Sequence, residues 1–269
     1  MIVRRWQCYI LIWGTLLILA ATNRQTTNPL PIAGTLTVFA AASLTEPFTA
    51  VGKRLEQIYP GLRIRFNFAG SQTLRTQLEQ GAPADVFASA NMPQMRLAKQ
   101  SGVVHHEAPI FIKNRLTLMV PHANPGQVTG LQDLANPGIK LVLAGQHVPV
   151  GRYSRQVLSR ASAEYGEDFE TRVLQNLVSE EHNVKQVVTK IQLGEADAGI
   201  AYVSDLSPQI GNAIRSIPIP DAYNIEAAYP IAMVKDTRQL AAAEVFIDFV
   251  HSEQGQAIMK SYHFIPVLE

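Results

Sequence analysis

Two serines stand where a short apolar run gives way to helical spacing. Val38-Phe39-Ala40-Ala41-Ala42 ends on Ser43, after which Leu44, Phe48, Val51 and Leu55 recur at the helical period. Glu46 follows Ser43 by three residues, a pattern that predicts a capping box. Phe68-Ala69-Gly70 ends on Ser71, ahead of Leu74 and Leu78; Ser71 is a candidate helix cap and Gly70 permits close backbone approach. Two later joins offer backbone instead of hydroxyl. Gly145-Gln146-His147-Val148-Pro149 leads into Val150 and Gly151, and Asn183, a candidate cap, precedes the buried-face set Val184, Val187, Val188 and Ile191. A strand from Ala196 ends on Tyr202. The chemistry common to these places is anion binding. The first turn of a helix carries N–H groups with no intrahelical partner at the positive end of the dipole, and a small hydroxyl beside them adds a further donor. Taken singly, a serine that only caps its helix and a tyrosine that only packs at a strand end are the plainer readings; the recurrence of the join favours a shared ligand.

The sequence also holds the parts of two other chemistries. Ser43 or Ser71 as a nucleophile would need a base, and His105, His106, His147 and His182 are the candidates. No serine sits in G-x-S-x-G and nothing places a histidine beside either serine, so a serine hydrolase is a remote alternative. His105-His106-Glu107 and Glu180-Glu181-His182 are consecutive, and side chains that point in different directions suit exposed loops better than a metal site.

The elements that must position these residues alternate. Strands read at Leu36–Ala41, Leu62–Phe68, Ala84–Ala88, Arg115–Val120, Lys140–Ala144, Ala196–Tyr202, Ile214–Pro218 and Ala227–Val234. Helices follow most of them, with further ones over Met95–Gly102, Leu240–Val250 and Glu253–Tyr262. This is an α/β pattern with mostly parallel sheets. The joins fall into an early pair and a later group, so two lobes facing each other across a cleft would bring the carboxyl ends of both sets of strands to one ligand. With 269 residues, 47% of them hydrophobic and 17% charged, the chain can fill two cores and is not a disordered composition. Arg4, Arg5 and Arg24 precede Gly34 and no acidic residue does; the remainder carries 20 basic and 22 acidic residues, which excludes the basic field that nucleic acid requires. Residues 1–33 read as an export segment and linker. Arg4 and Arg5 precede the apolar stretch Tyr9–Ala21, which is short for a membrane span and suits a signal. Ala20-Ala21-Thr22 is a poor cleavage site, so an uncleaved anchor is the alternative. The single cysteine, Cys8, lies ahead of that stretch, which argues against lipid attachment and leaves the exported part without thiol chemistry.

Thr37-Val38-Phe39-Ala40-Ala41-Ala42-Ser43-Leu44-Thr45, Phe68-Ala69-Gly70-Ser71-Gln72-Thr73-Leu74, Gly81-Ala82-Pro83-Ala84-Asp85-Val86-Phe87, His147-Val148-Pro149-Val150-Gly151, Gly199-Ile200-Ala201-Tyr202-Val203-Ser204-Asp205 and Tyr262-His263-Phe264 occur in that order. Together they resemble the molybdate-binding proteins of bacterial ABC importers, over nearly all of Gly34–Glu269. The resemblance implies a two-lobed periplasmic-binding-protein fold of type II. Lobe 1 is discontinuous, residues 34–114 and 229–269, and lobe 2 spans 115–228, with hinge closure around the ligand. It also implies an extracytoplasmic monomer that is no enzyme and carries no cofactor. Such a protein captures molybdate, and tungstate of nearly equal size, for the membrane permease of an importer. The ligand set implied is Ser43 and Ser71 through hydroxyl and N–H, the Tyr202 hydroxyl, and the backbone N–H of Val150 and Val184. These residues hold the oxyanion's oxygens and none touches the metal. Relatives often carry alanine at position 150, and some archaeal ones add carboxylates at the metal; the matched loop positions here carry none, with Glu181 nearby. The residue chemistry agrees with a fully deprotonated oxyanion. Molybdate, tungstate and sulfate need donors only, whereas phosphate keeps a proton and needs an acceptor that no join supplies. Converging dipoles can hold such a dianion without Lys or Arg, and Arg75 and Arg152 read as surface charges. Sulfate is the alternative ligand; longer metal–oxygen bonds are expected to favour molybdate in a rigid ring of donors.

Overall fold

The computed structural model describes residues 32–206 and 208–267. The apolar leader expected over Tyr9–Ala21 lies outside the described residues, and among those described no helix is long and apolar enough to cross a membrane.

The first part of the chain builds parallel strands joined by helices. Strands β1 (Gly34–Ala41), β2 (Leu62–Ala69) and β3 (Val86–Ala88) alternate with helices α1 (Thr45–Ile58), α2 (Ser71–Glu79) and α3 (Met92–Gln100). β1 pairs in parallel with β2 on one side and β3 on the other. α1 buries Phe48, Val51 and Leu55. Phe48 meets Phe66, Phe111 and Phe246 with ring centroids 5.2–6.2 Å apart, each such side chain being worth ~1.5–3 kcal/mol on full burial. α3 starts three residues earlier than the apolar spacing suggests, because Asn91 accepts the N–H of Gln94 and Pro93 occupies the first turn, where its missing N–H costs nothing.

Next comes β4 (Ile110–Pro121), twelve residues long and longer than the six expected. The second set follows as β5 (Leu141–Ala144), α4 (Pro149–Tyr165), α5 (Phe169–Gln175), β6 (Leu177–Glu181), α6 (Val184–Gln192) and β7 (Ala198–Tyr202). β5 pairs in parallel with β6 and β7. β8 (Ile214–Pro218), β9 (Glu226–Met233), α7 (Leu240–His251), α8 (Glu253–Ser261) and the short β10 (Ile265–Pro266) complete the described chain. α5, β6 and β10 are not foreseen by the apolar pattern.

The strand order is β2-β1-β3-β9-β4-β7-β5-β6, with β8 and β10 paired to β4. Parallel pairing is confined to the strand–helix–strand units; every pairing made by β4 and β9 is antiparallel. These two strands serve both halves of the sheet. β9 pairs β4 through Glu226–Pro230 and β3 through Ile231–Met233, while β4 pairs β9 through Ile110–Arg115 and β7 through Leu116–Met119. A continuous apolar cluster, including Leu36, Val38, Phe111, Leu118, Leu143, Ile200 and Ile231, underlies both halves. The ends of β1, β2 and β7 and the turns and helices that follow β1, β2, β3, β5 and β6 border one cavity.

Candidate functional site

Ser43, Ser71, Val150, Val184 and Tyr202 come together around one small cavity. It is completed by Ala41, Ala42, Ala69, Gly70, Ala90, Val148, Pro149 and Asn183, and holds about 10 Å³, room for roughly one water-sized sphere. No lining residue carries an ionisable acid or base other than the Tyr202 phenol.

Each position arises from its own join. Ser43 lies in a 3-10 turn, Ala42–Leu44, between β1 and α1, and is 2% exposed. The capping box expected of Ser43 and Glu46 does not form. The 3-10 turn delays α1 to Thr45, whose cap position Leu44 has no side-chain hydrogen bond. Ser43 Oγ instead lies 3.0 Å from Tyr229 Oη, and Glu46 accepts from Lys185 Nζ at 3.0 and 2.8 Å. Ser71 likewise does not cap α2. Gly70 occupies the cap position and Ser71 is the first helical residue; its Oγ accepts the Ala90 N–H at 3.0 Å. Neither serine hydroxyl is bonded to a histidine.

Val150 is the second residue of α4, behind Pro149. Gly151 brings this turn against the end of β5, since a Cβ there would lie 2.2 Å from the carbonyl oxygens of Ala144 and Gly145. Val184 is the first residue of α6, and Asn183 caps it as expected, accepting the Gln186 N–H at 3.2 Å. Val150 and Val184 therefore hold first-turn N–H groups, which an α-helix leaves without an intrahelical acceptor. Tyr202 ends β7 and is 1% exposed, and its hydroxyl has no hydrogen-bond partner among the described residues. Burial, and after it the neighbouring Tyr229, raises its pKa well above the ordinary value of 10.0, so the phenol stays protonated. A buried donor left unpaired costs ~1–3 kcal/mol.

Polar contacts not foreseen in the sequence close the site. Gln72 Nε2 donates to His182 O at 3.0 Å and Gln94 Nε2 to His147 O at 3.3 Å. A Cβ on Gly70 would lie 2.5 Å from His182 O, so only glycine allows this approach. Lys185, next to Val184, also pairs with Asp205 at 3.2 Å, and Asp205 accepts the Tyr202 N–H at 3.1 Å. Burial acts to lower the Lys185 pKa, but Asp205 and then Glu46 outweigh it and raise it above 10.5. No local pattern marks Tyr229, Asn114 or Lys185, since Ser43, Ser204 and Glu46 lie 90 to 186 residues from them.

The other candidates lie elsewhere. His105, His106 and Glu107 border a separate groove with Glu244, Asp248 and His251, away from both serines. Glu181 is engaged by Lys190 at 2.8 Å and by Ser179. Arg75 pairs with Glu79 and Gln94, and Arg152 is exposed.

The family described as bacterial extracellular solute-binding protein matches residues 36–265. The molybdate-binding protein ModA of Mycobacterium tuberculosis is 35% identical over 237 residues, covering 88% of this chain and 87% of that protein. Among solved structures, the periplasmic molybdate-binding protein of Azotobacter vinelandii superposes with a TM-score of 0.75 at 20% identity, covering 86% of this chain and 98% of the other. The sulfate-binding protein SubI of M. tuberculosis gives 0.76 at 18% identity and 87% coverage of both chains. These two likenesses bear on the fold alone, which is the two-lobed periplasmic-binding-protein type.

Proposed function

The chain belongs to the bacterial extracellular solute-binding proteins, and from that premise we propose that it captures molybdate, and tungstate with it, for an ABC importer. The observation that carries this reading is a small cavity of about 10 Å³ that offers donors and no formal charge. A sugar or amino acid needs a pocket of several hundred Å³, whereas a compact inorganic ion does not. The donors are the hydroxyls of Ser43, Ser71 and Tyr202 and the first-turn N–H groups of Val150 and Val184. A fully deprotonated oxyanion accepts from all of them and needs no acceptor in return. Each charge-assisted bond contributes ~1.5–3 kcal/mol, so several suffice without a cationic partner. The relative that is 35% identical over most of both chains is a molybdate-binding protein, which supports molybdate above sulfate.

In this reading residues 34–114 and 229–269 form one lobe and 115–228 the other. β4 and β9, each paired in both halves of the sheet, are the connections. The ligand closes the cleft by binding donors from both lobes. Residues 1–33 export the chain, which works as an extracytoplasmic monomer that hands its ion to a permease and catalyses nothing. Calorimetric titration of residues 32–269 with molybdate, tungstate, sulfate and phosphate tests the assignment. Tight binding of the first two, weaker sulfate and no phosphate is expected; equal affinity for sulfate would reassign the protein to that ion.

A further inference from the structure

Behind Ser43 lies a buried polar chain whose next members, Tyr229 and Asn114, do not line the cavity. Tyr229 and Asn114 are both 0% exposed. Asn114 Oδ1 accepts the Arg115 N–H at 2.9 Å, and a backbone N–H can only donate, so this contact assigns the amide. The Nδ2 group therefore points the other way, donating to Ser204 Oγ at 2.8 Å and to Tyr229 Oη at 3.4 Å. The Tyr229 oxygen is thus used as an acceptor, and its own hydrogen must find one. Ser43 Oγ, 3.0 Å away, is placed to accept it; the Tyr202 hydroxyl lies beside the same oxygen but makes no bond of hydrogen-bond geometry among the described residues. Reversing that bond, so that Ser43 donates, would place two donors on the phenol oxygen and leave the phenol hydrogen with no well-aligned acceptor among the described residues. Burial also raises the Tyr229 pKa, which keeps that hydrogen in place.

We infer that Tyr229 and Asn114 are positioning residues that fix the direction of the Ser43 hydroxyl and thereby set the protonation state of the anion the site accepts. With one of its two lone pairs held by Tyr229, Ser43 turns its hydrogen to the cavity it lines. An oxyanion bearing a proton, such as phosphate or arsenate near neutral pH, then sets an O–H against a ring of donors, and that O–H goes unpaired. Discrimination against protonated anions follows from the polarity of the chain Asn114, Tyr229, Ser43, in addition to the size of the ring. This rests on the proposal above that Ser43 is an oxyanion ligand.

The test is Tyr229→Phe. It keeps the ring, which meets Phe264 edge-on at 5.5 Å and Tyr202 at 5.9 Å, and removes the hydrogen given to Ser43. The freed lone pair can then accept from a protonated anion. Molybdate and arsenate affinities are measured by titration at one neutral pH for the parent, Tyr229→Phe, Ser43→Ala and the double variant, with melting temperatures alongside. The molybdate-to-arsenate preference is expected to fall at least roughly tenfold in Tyr229→Phe, equivalent to about 1.4 kcal/mol. The arsenate gain should vanish in the double variant, because it acts through Ser43. A folded Tyr229→Phe that binds molybdate with unchanged preference overturns the inference and leaves the molybdate assignment standing; a parent that does not bind molybdate overturns that assignment instead. If Tyr229→Phe does not fold, Asn114→Leu frees the phenol oxygen to accept from Ser43, and the same ratio is read there with the same two outcomes.

Discussion

Replacing Tyr202 by phenylalanine should move stability and affinity in opposite directions. The hydroxyl is buried in a residue 1% exposed and has no bonded partner among the described residues. Without ligand, the parent therefore bears the desolvation cost of one unpaired donor, ~1–3 kcal/mol. Phenylalanine removes that cost and retains the edge-to-face packing on Tyr229 at 5.9 Å. In a chain of this size each kcal/mol moves the melting temperature by ~2–4 °C, so the ligand-free variant should melt several degrees above the parent. With molybdate the order changes. The lost bond to a charged oxygen is worth ~1.5–3 kcal/mol, which weakens binding about 10- to 150-fold. The stabilisation that saturating ligand confers shrinks by the same amount, and the gap in melting temperature closes or reverses. Calorimetric titration gives the affinity, and thermal unfolding with and without molybdate gives the stability. A variant that binds as tightly as the parent, or that is less stable without ligand, would refute the argument that this hydroxyl waits for an anion.

The backbone donors are tested at Val184, where proline fits the first helical position and Asn183 already has the extended φ of −159° that a residue before proline favours. Val184→Pro should lose ~1.5–3 kcal/mol of binding, whereas Val184→Ala should keep its affinity and lose only stability, ~0.8 kcal/mol for each buried carbon removed; equal affinities for parent and proline variant remove Val184 from the site. The Lys185 cluster should split in its response. Lys185→Met strands the Asp205 carboxylate, which is 0% exposed, and should destabilise the fold by ~3–5 kcal/mol in chemical unfolding. Glu46→Gln gives up only the partly exposed contact to Lys185, and should speed molybdate release slightly, by ~0.2–1 kcal/mol, with less salt dependence than the parent. Molybdate affinity should be flat between about pH 6 and 9, where no lining group titrates. The Tyr202 pKa is raised in the folded chain, so its contribution to stability is complete below 10.0 and is lost only as pH rises through the still higher folded value. A tenfold change in affinity inside that window would reveal an ionising ligand and refute the neutral ring of donors.

What local sequence determines here is whatever a few neighbouring residues settle among themselves. The apolar periods of α1, α6 and α7, the Asn183 cap and the glycine stop at Gly194, whose φ is +72°, all follow from backbone and side chains within one or two turns. The short edge strand β6 was not legible, because Leu177–Glu181 turns Val178 outward at 59% exposure and its only strand partner is β5. Tertiary structure decided the direction of the hydroxyls. Ser43 and Glu46 satisfy the local rule for a capping box, yet Tyr229, 186 residues from Ser43, takes the serine, and Lys185, 139 residues from Glu46, takes the carboxylate. A capping bond in water adds little net free energy, so a buried phenol and a half-buried ammonium that need partners outweigh it. The convergence of Ser43, Ser71, Val150, Val184 and Tyr202 is likewise a property of strand order. β1 and β2 lie at one end of the sheet and β7, β5 and β6 at the other, and β4 and β9, passing between the two halves, bring the carboxyl ends of both sets to face one cavity.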